Sequence, residues 1–584
     1  MRKLYFLILL QCLVLSSNIW AVDSSDPRAL SEVERYREHV LVVDPDGSAL
    51  LPTISRQGSG FSYHVALTKM EGEDTTKIDV AAQARCGLYK YLDNMFKAIK
   101  REKPDTIVIY IHGGLNNIFQ ATAKSAEMAD MIPEKYKPGY SKIYPICICW
   151  DSSPDTYLSH LLEIRGGLHV SFPEGLATAP LFLASDLATA VVRAPVTWVK
   201  DLENDIYAAN PRLQQRYRHT LDRYWMLDHL GQTTTNQGIS VSRAADGREE
   251  RHDALALDVG MWMFTLPTKL GTSLLIDSLG PEAWQVMLRR TRTMFERESE
   301  FVPSLDDTFK YADDHKELYP SRDKFRAGIL DTSRKGAMEI FLSDAEAYLN
   351  LPSRNKPYNH ISLIGHSMGA IISNEILQST TRQEIPNLVA SGSIKAPIVF
   401  DNIEYLAAAC TIRDFKRDAI PYMEMHPGVH FHNLSLHDNA ERSEKNSTIG
   451  YDLTPRGSLL VWIDSFLDDP ASEDDRTLGR WENSILMTDD LPSELHQEIT
   501  LKSFGRDRLA ANGLHNKDPK LDYTIPKVQY GGKYKYIVEP TAHGSFSSID
   551  NPGFAFWDEE FWGPESAKDS PPPAQMPKGV EKSK

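Results

Sequence analysis

Along this chain the spacing of apolar positions switches repeatedly between two periods. From Ile78 to Ile99, Val80, Ala81, Ala84, Leu88, Tyr91, Leu92, Met95, Phe96 and Ile99 recur at helical intervals. Pro104-Asp105 interrupts that pattern, and Thr106–Ile111 follows as an unbroken β-branched run; Ile143–Trp150 is a second. Strands that are apolar at every position are buried on both faces, as in a parallel sheet. Tyr63–Leu67 predicts an earlier strand. Ala337–Leu349 returns to helical spacing, and Ile361–Ile364, Ile394–Phe400, Val429–Leu436 and Lys533–Val538 predict further strands. Helices alternating with buried strands give an α/β architecture, a parallel sheet covered on both sides. Between 152 and 330 the alternation lapses. Gly175–Val192 holds Pro180 and Asp186, and Ala254–Leu288 holds Asp258, Lys269, Asp277 and Glu282. These charges argue against spanning helices and predict a large helical insertion, either a second core or a lid that faces lipid.

The ends read differently. Arg2 and Lys3, an apolar stretch Leu4–Leu15 interrupted by Gln11, and small or polar residues up to Ala21 form a secretory signal peptide with cleavage expected after Ala21. That predicts a secreted or periplasmic protein. Residues 22–55 are polar and predicted to be irregular. The division that follows is a first core part over 56–151, the insertion over 152–330, a second core part over 331–562, and a disordered tail over 563–584 rich in proline and charge.

Composition removes several classes of function. The formal net charge of −16, with no basic block to offset it, is the wrong sign for neutralising phosphates, so nucleic acid is not an expected partner. After cleavage Cys86, Cys147, Cys149 and Cys410 remain, too scattered for a disulfide scaffold. Cys147 and Cys149 alternate along one strand and share a face. Neither paired CxxC motifs nor HExxH occurs, so no metal or other cofactor is expected.

The candidate chemistry sits at strand ends. Gly365-His366-Ser367-Met368-Gly369 joins an apolar strand to the helix-like Ala370–Leu377. A serine on so tight a turn is held in strained backbone and presented at the sheet edge. The flanking glycines remove Cβ atoms that would collide. His112-Gly113-Gly114 directly follows the strand Thr106–Ile111. Its glycines let backbone N–H groups approach a developing oxyanion; Gly113, or less directly Gly114, and Met368 are the expected donors. His543, in Pro540-Thr541-Ala542-His543-Gly544, follows the last predicted strand and is the expected base; His437, His426 and His515 are rivals without that placement. Asp438, after Val429–Leu436, is the expected acid, with Asp401, Glu441 and Asp464 as alternatives.

With Ser367, an acid and His543 in that order behind an oxyanion-type loop, the chain resembles the α/β-hydrolase superfamily over roughly residues 60 to 560, the insertion apart. The resemblance implies a mostly parallel eight-stranded sheet and hydrolysis through an acyl-enzyme. Gly-His-Ser-Met-Gly looks like lipases and esterases. Leu115-Asn116-Asn117 departs from the longer glycine run of many esterases, and the insertion precedes the nucleophile strand where many members carry a lid later. The expected function is hydrolysis of carboxylic esters, acyl lipids above all, with a peripheral membrane contact through the insertion. A non-catalytic protein binding a lipid or a partner, and an acyltransferase using the same serine, are the alternatives.

Overall fold

The computed structural model describes residues 33–57, 62–70, 77–135, 142–153, 164–165, 168–169, 172–209, 233–234, 240–243, 252–296, 335–349, 356, 358–383, 398–436, 438–444, 455–468, 470–488, 491–504, 527–530, 533–536, 540, 542–547 and 556. The signal-peptide and tail expectations lie outside these residues.

The central runs form strands where the apolar pattern predicts them. β1 (Val40–Val43), β2 (Ala49–Arg56) and β3 (Tyr63–Lys69) open the chain, followed by α1 (Lys77–Glu102), β4 (Thr106–Ile111), α2 (Ile118–Lys135) and β5 (Ile143–Trp150). The region expected as an insertion contributes α3 (Phe172–Ala209), β6 (Thr233–Thr234), β7 (Ser240–Arg243) and α4 (His252–Thr293). Then come α5 (Ala337–Leu349), β8 (His360–His366), α6 (Gly369–Gln383), β9 (Asn402–Leu406), α7 (Ile412–Met425), β10 (His430–Leu436), α8 (Asp438–Ser443) and β11 (Ile499–Phe504).

Among the described residues these strands build one sheet in the order β3-β2-β1-β5-β4-β8-β9-β10-β11-β7-β6. From β1 to β7 every neighbouring pair is parallel, and β2, β3 and β6 add antiparallel edges. This is α/β architecture with a mostly parallel sheet. Both faces are covered. α1 and α5 stack Phe96 on Tyr348 with ring centroids 4.9 Å apart, and α2 packs Ala121, Ala126 and Ala129 against Val40, Val42 and Cys149. Cys147 and Cys149 are buried free thiols that both point at Ser125 of α2, the shared face their alternation predicts; burial pushes the Cys149 thiol up to about 12.

Four expectations need correction. The main sheet has eleven strands among the described residues, where eight were expected. Residues 22–55 are not irregular throughout, because β1 and β2 lie inside that range. They are fastened to α2 by Asp130, whose buried carboxylate accepts from Tyr36 Oη at 2.8 Å, Tyr63 Oη at 2.7 Å and Arg35 at 2.8 Å. Of the strand expected over Ile394–Phe400, residues 394–397 lie outside the described residues and 398–400 are not strand; the strand that pairs beside β8 is Asn402–Leu406. Lys533–Tyr536 pairs antiparallel with Lys527–Tyr530 in a separate hairpin, so the final strand of the main sheet is Ile499–Phe504.

The region expected as an insertion is partly woven into the core. β7 pairs parallel with β11 near the sheet edge, and Trp284 and Met287 of α4, with Met294 just past its end, belong to the main buried cluster. Arg290 of α4 holds Asp151 with an Nη1–Oδ2 distance of 3.1 Å, anchoring this helix at the exit of β5.

Candidate active site

Parallel strands bring their C-terminal ends to one edge of the sheet, and the loops leaving β4, β8 and β10 meet there. β8 lies between β4 and β9. Its last residue, His366, is followed by Ser367 with φ +51°, backbone that β-carbon-bearing residues rarely adopt. Such a conformation costs roughly 1–3 kcal/mol and persists only where surroundings over-determine it. Here they do: Ser367 N–H donates to Leu406 C=O at 2.8 Å, and Ser367 C=O accepts from Ala409 N–H at 3.0 Å and Ala370 N–H at 3.1 Å. Leu115 and Ala407, at the neighbouring strand exits, also have positive φ, +65° and +46°.

The elbow depends on its glycines for different reasons. A Cβ on Gly365 would stand 2.6 Å from Ser373 Oγ and 2.8 Å from the Ala370 backbone, where the helix folds back on the strand. A Cβ on Gly369 would stand 2.2 Å from Ile111 C=O, at the end of β4. The same crowding explains His112-Gly113-Gly114. A Cβ on Gly113 would meet Ser367 Cβ and His366 Nδ1, both at 2.8 Å, and one on Gly114 would meet Met368 Sδ at 2.7 Å. The loop after β4 therefore lies directly on the serine turn.

Its orientation is fixed from behind. Gly113 C=O accepts from His112 Nδ1–H at 2.7 Å and from Asn116 Nδ2–H at 3.3 Å, with the Ser152 hydroxyl also at 3.3 Å. Gly114 C=O accepts from Asn116 Nδ2–H at 3.2 Å, and His112 C=O from Trp150 Nε1–H at 3.4 Å. Trp150 N–H donates to His112 Nε2 at 3.1 Å, so both ring nitrogens of His112 are committed in the neutral form. Burial keeps it neutral, holding the imidazole at about 4. In a trans peptide the N–H points opposite to the C=O. With the carbonyls of 112 and 113 drawn toward the exit of β5, the N–H groups of Gly113 and Gly114 face the other way. Among the described residues neither the Gly113 nor the Met368 N–H donates a hydrogen bond.

His543 arrives from far along the chain. Ser367 Oγ–H donates to its Nε2 at 2.8 Å across 176 residues. Three contacts hold it. Phe546 is fully buried and meets Phe504 of β11 edge-to-face at 5.9 Å. His543 N–H donates to Glu444 Oε2 at 2.9 Å, and His366 Nε2–H donates to His543 C=O at 3.2 Å. Desolvation lowers His543 to about 4, so at neutral pH the ring is neutral, and with its one proton on Nδ1 it accepts from the serine at Nε2. Its Nδ1 is buried without a hydrogen-bond partner among the described residues.

That leaves the acid. Asp438 opens α8, two residues beyond the end of β10, at the same sheet edge as Ser367. Its side chain is outside the described residues. The alternatives carry other duties. Asp401 precedes β9 at the opposite edge of the sheet, where it accepts Ile361 N–H at 2.8 Å. Asp464 accepts from Arg480 at 2.8 Å, Asn483 at 3.0 Å and Thr477 N–H at 2.9 Å. Glu441 is fully buried and accepts from the Ser458 hydroxyl that caps the helical turn from Leu459.

The structure thus brings Ser367, His543, Gly113 and Met368 together, and sets the backbone of Asp438 on the same side of the sheet. The sequence reading missed Glu444, the clamp formed by His366, and the bracing by Asn116, Trp150 and Ser152. Glu444 carries no sequence signal; the Trp150-Asp151-Ser152 exit of a buried strand was a weak one. No family model matches the chain, and neither a curated protein nor a solved structure matches it.

Proposed function

We propose that the protein is a serine hydrolase of carboxylic esters, an α/β-hydrolase by fold, acting in a secreted or periplasmic setting. The observation that carries this reading is the 2.8 Å Ser367 Oγ–His543 Nε2 contact at a strained strand-to-helix turn crossed by the Gly113-Gly114 loop. A serine hydroxyl is a weak nucleophile until a base takes its proton. As Oγ bonds the acyl carbon, His543 Nε2 takes the proton, and the carbonyl oxygen becomes an oxyanion facing the amides of Gly113 and Met368. His543 then returns the proton to the departing alkoxide, releasing the alcohol and leaving an acyl-enzyme. Water repeats the sequence, frees the acid and restores Ser367. Reaction with a fluorophosphonate, which phosphonylates an activated serine, together with turnover of p-nitrophenyl esters, tests the reading. A purified chain that does neither refutes it.

The acid in this scheme is Asp438. Glu444, just past the end of α8, already touches the backbone of His543, so the segment that Asp438 opens borders the base. A carboxylate at Nδ1 would hold the tautomer and stabilise the imidazolium. Asp438→Asn is expected to lower kcat about 10³- to 10⁴-fold, while Asp401→Asn leaves it within about twofold. Steady-state kinetics of both variants decide between them.

The pH profile follows from His543. Only the neutral ring accepts the serine proton, so kcat/KM is lost as pH falls through the value of the folded free enzyme. Burial lowers that value from 6.5 to about 4. The acid limb of kcat/KM is therefore expected below pH 6.5. Stability moves the same way. The unfolded chain takes up the proton near 6.5 and the folded one resists it, so stability is complete above that pH and falls between 6.5 and about 4. A limb at or above 6.5 would show that an anion at Nδ1 outweighs desolvation.

A further inference from the structure

We propose that α3 inserts into a lipid bilayer and holds the Ser367 site against it, so that the ester is one embedded in that bilayer. The choice of substrate rests on the hydrolase reading above; the insertion does not. A helix packed on a protein core buries one stripe, and α3 does so only over its second half. There Ala190, Ala194 and Thr197 are buried at i, i+4 and i+7, Thr197 Oγ1–H donates to Asp277 of α4 at 3.0 Å, and Trp198 Nε1–H donates to Leu270 C=O at 3.0 Å. The first half is different. Leu181, Phe182, Leu183, Ala184 and Ser185 are consecutive and all exposed, which is more than one full turn. Leu181 is 71% exposed, and on the outer side of the second half Val192 is 80% exposed. A helix that is apolar all round needs an apolar environment all round, and a protein partner seated on one face would not supply it.

Length and charge fit entry into a bilayer. Leu176–Lys200 is 25 residues long and apolar enough to cross a membrane. The part that precedes the packed stripe, Leu176–Thr189, reaches about 21 Å at about 1.5 Å per residue, enough to enter a hydrocarbon layer about 30 Å thick without crossing it. Its two interior charges are Asp186 and Arg193; Arg193 turns to Asp277 of α4 at 3.8 Å. Pro180 and Pro195 are tolerated better in membrane helices than in soluble ones. α3 also packs against α8, the segment whose far end leads to Glu444 and so to His543. The apolar helix is one element away from the base.

Flotation of the purified full chain with phosphatidylcholine vesicles tests the insertion without using catalysis. The chain is expected to float, and to remain with the vesicles in 1 M salt, because the contact is apolar and a net charge of −16 gives no attraction to anionic lipid. The double variant Leu181→Asp/Val192→Asp is expected to stay at the bottom, and Met425→Asp, an exposed change on α7, to float. The double variant should hydrolyse a water-soluble butyrate ester within twofold of the parent, which shows that it is folded, and lose at least tenfold on a phospholipid presented in vesicles. A parent chain that stays in solution overturns the insertion, including the case in which it instead forms a dimer that the double variant abolishes. Equal flotation of parent and double variant overturns the role of α3. Unchanged vesicle turnover in the double variant overturns the bilayer substrate. Flotation without any reaction at Ser367 refutes the hydrolase reading and leaves the insertion standing.

Discussion

Ser367→Ala is expected to abolish fluorophosphonate labelling and to lower ester turnover by about 10⁴- to 10⁶-fold, the range seen when a serine acting with its base is removed. The change is small in every structural respect. Alanine keeps the backbone bonds from Ser367 N–H to Leu406 and from Ala409 and Ala370 to Ser367 C=O, and it deletes one buried oxygen. Its hydrogen-bond partner, His543 Nε2, is left facing a gap, a modest cost compared with the lost nucleophile. Stability should therefore stay within about 1–3 kcal/mol of the parent while activity disappears. Labelling that persists in the variant would mean that another residue is the nucleophile.

Gly369→Ala should be nearly as damaging to activity by an unrelated route. The added methyl would come within 2.2 Å of Ile111 C=O and 3.1 Å of His112 C=O, both backbone atoms in a bonded strand and its exit. Neither can step aside cheaply, so β4 and the elbow must separate. Overpacking of this kind costs about 1–3 kcal/mol. The separation also widens the space between the Gly113 loop and Ser367, where a misplacement of about 1 Å typically costs about 10²-fold in rate. Gly544→Ala is the matched control. Gly544 is adjacent to the proposed base, yet a Cβ there meets nothing within 4 Å among the described residues, so turnover is expected within about threefold of the parent. Thermal unfolding and kcat/KM for the pair separate crowding at the elbow from a general intolerance of change near the site. Equal behaviour of the two variants would count against the role given to Gly369.

Sequence legibility followed burial. β4 after Thr106 and all of β5 are apolar, and their limits in the structure coincide with the predicted ones. β9 was misplaced because Asn402–Leu406 carries Glu404, a fully buried carboxylate in mid-strand, and an apolar run just upstream drew the assignment. β11 was missed because Ile-Thr-Leu-Lys-Ser-Phe alternates with polar residues although every position is buried. β1 and β2 escaped because four residues make a faint signal, and because Asp44-Pro45-Asp46-Gly47 and Pro52 punctuate the segment as a loop would. At the site, Ser367, Gly113 and Met368 were legible from their place at strand ends, whereas the signal for His543 was its place after Lys533–Val538, a segment whose strand lies in a separate hairpin and not in the main sheet. Glu444 was not, since its role arises only when a loop 99 residues away folds back on it.

The 176 residues between Ser367 and His543 impose an order of events on synthesis. Every strand adjoining the nucleophile turn, β4, β8 and β9, is made before residue 407. The turn can then close while the chain that carries its base does not yet exist. Residue 543 comes 136 positions after 407, so at roughly 5–20 residues per second the wait is about 7 to 27 s. On the hydrolase reading proposed above, for that interval the serine sits in place without a proton acceptor, and a growing chain passes its own surroundings chemically silent.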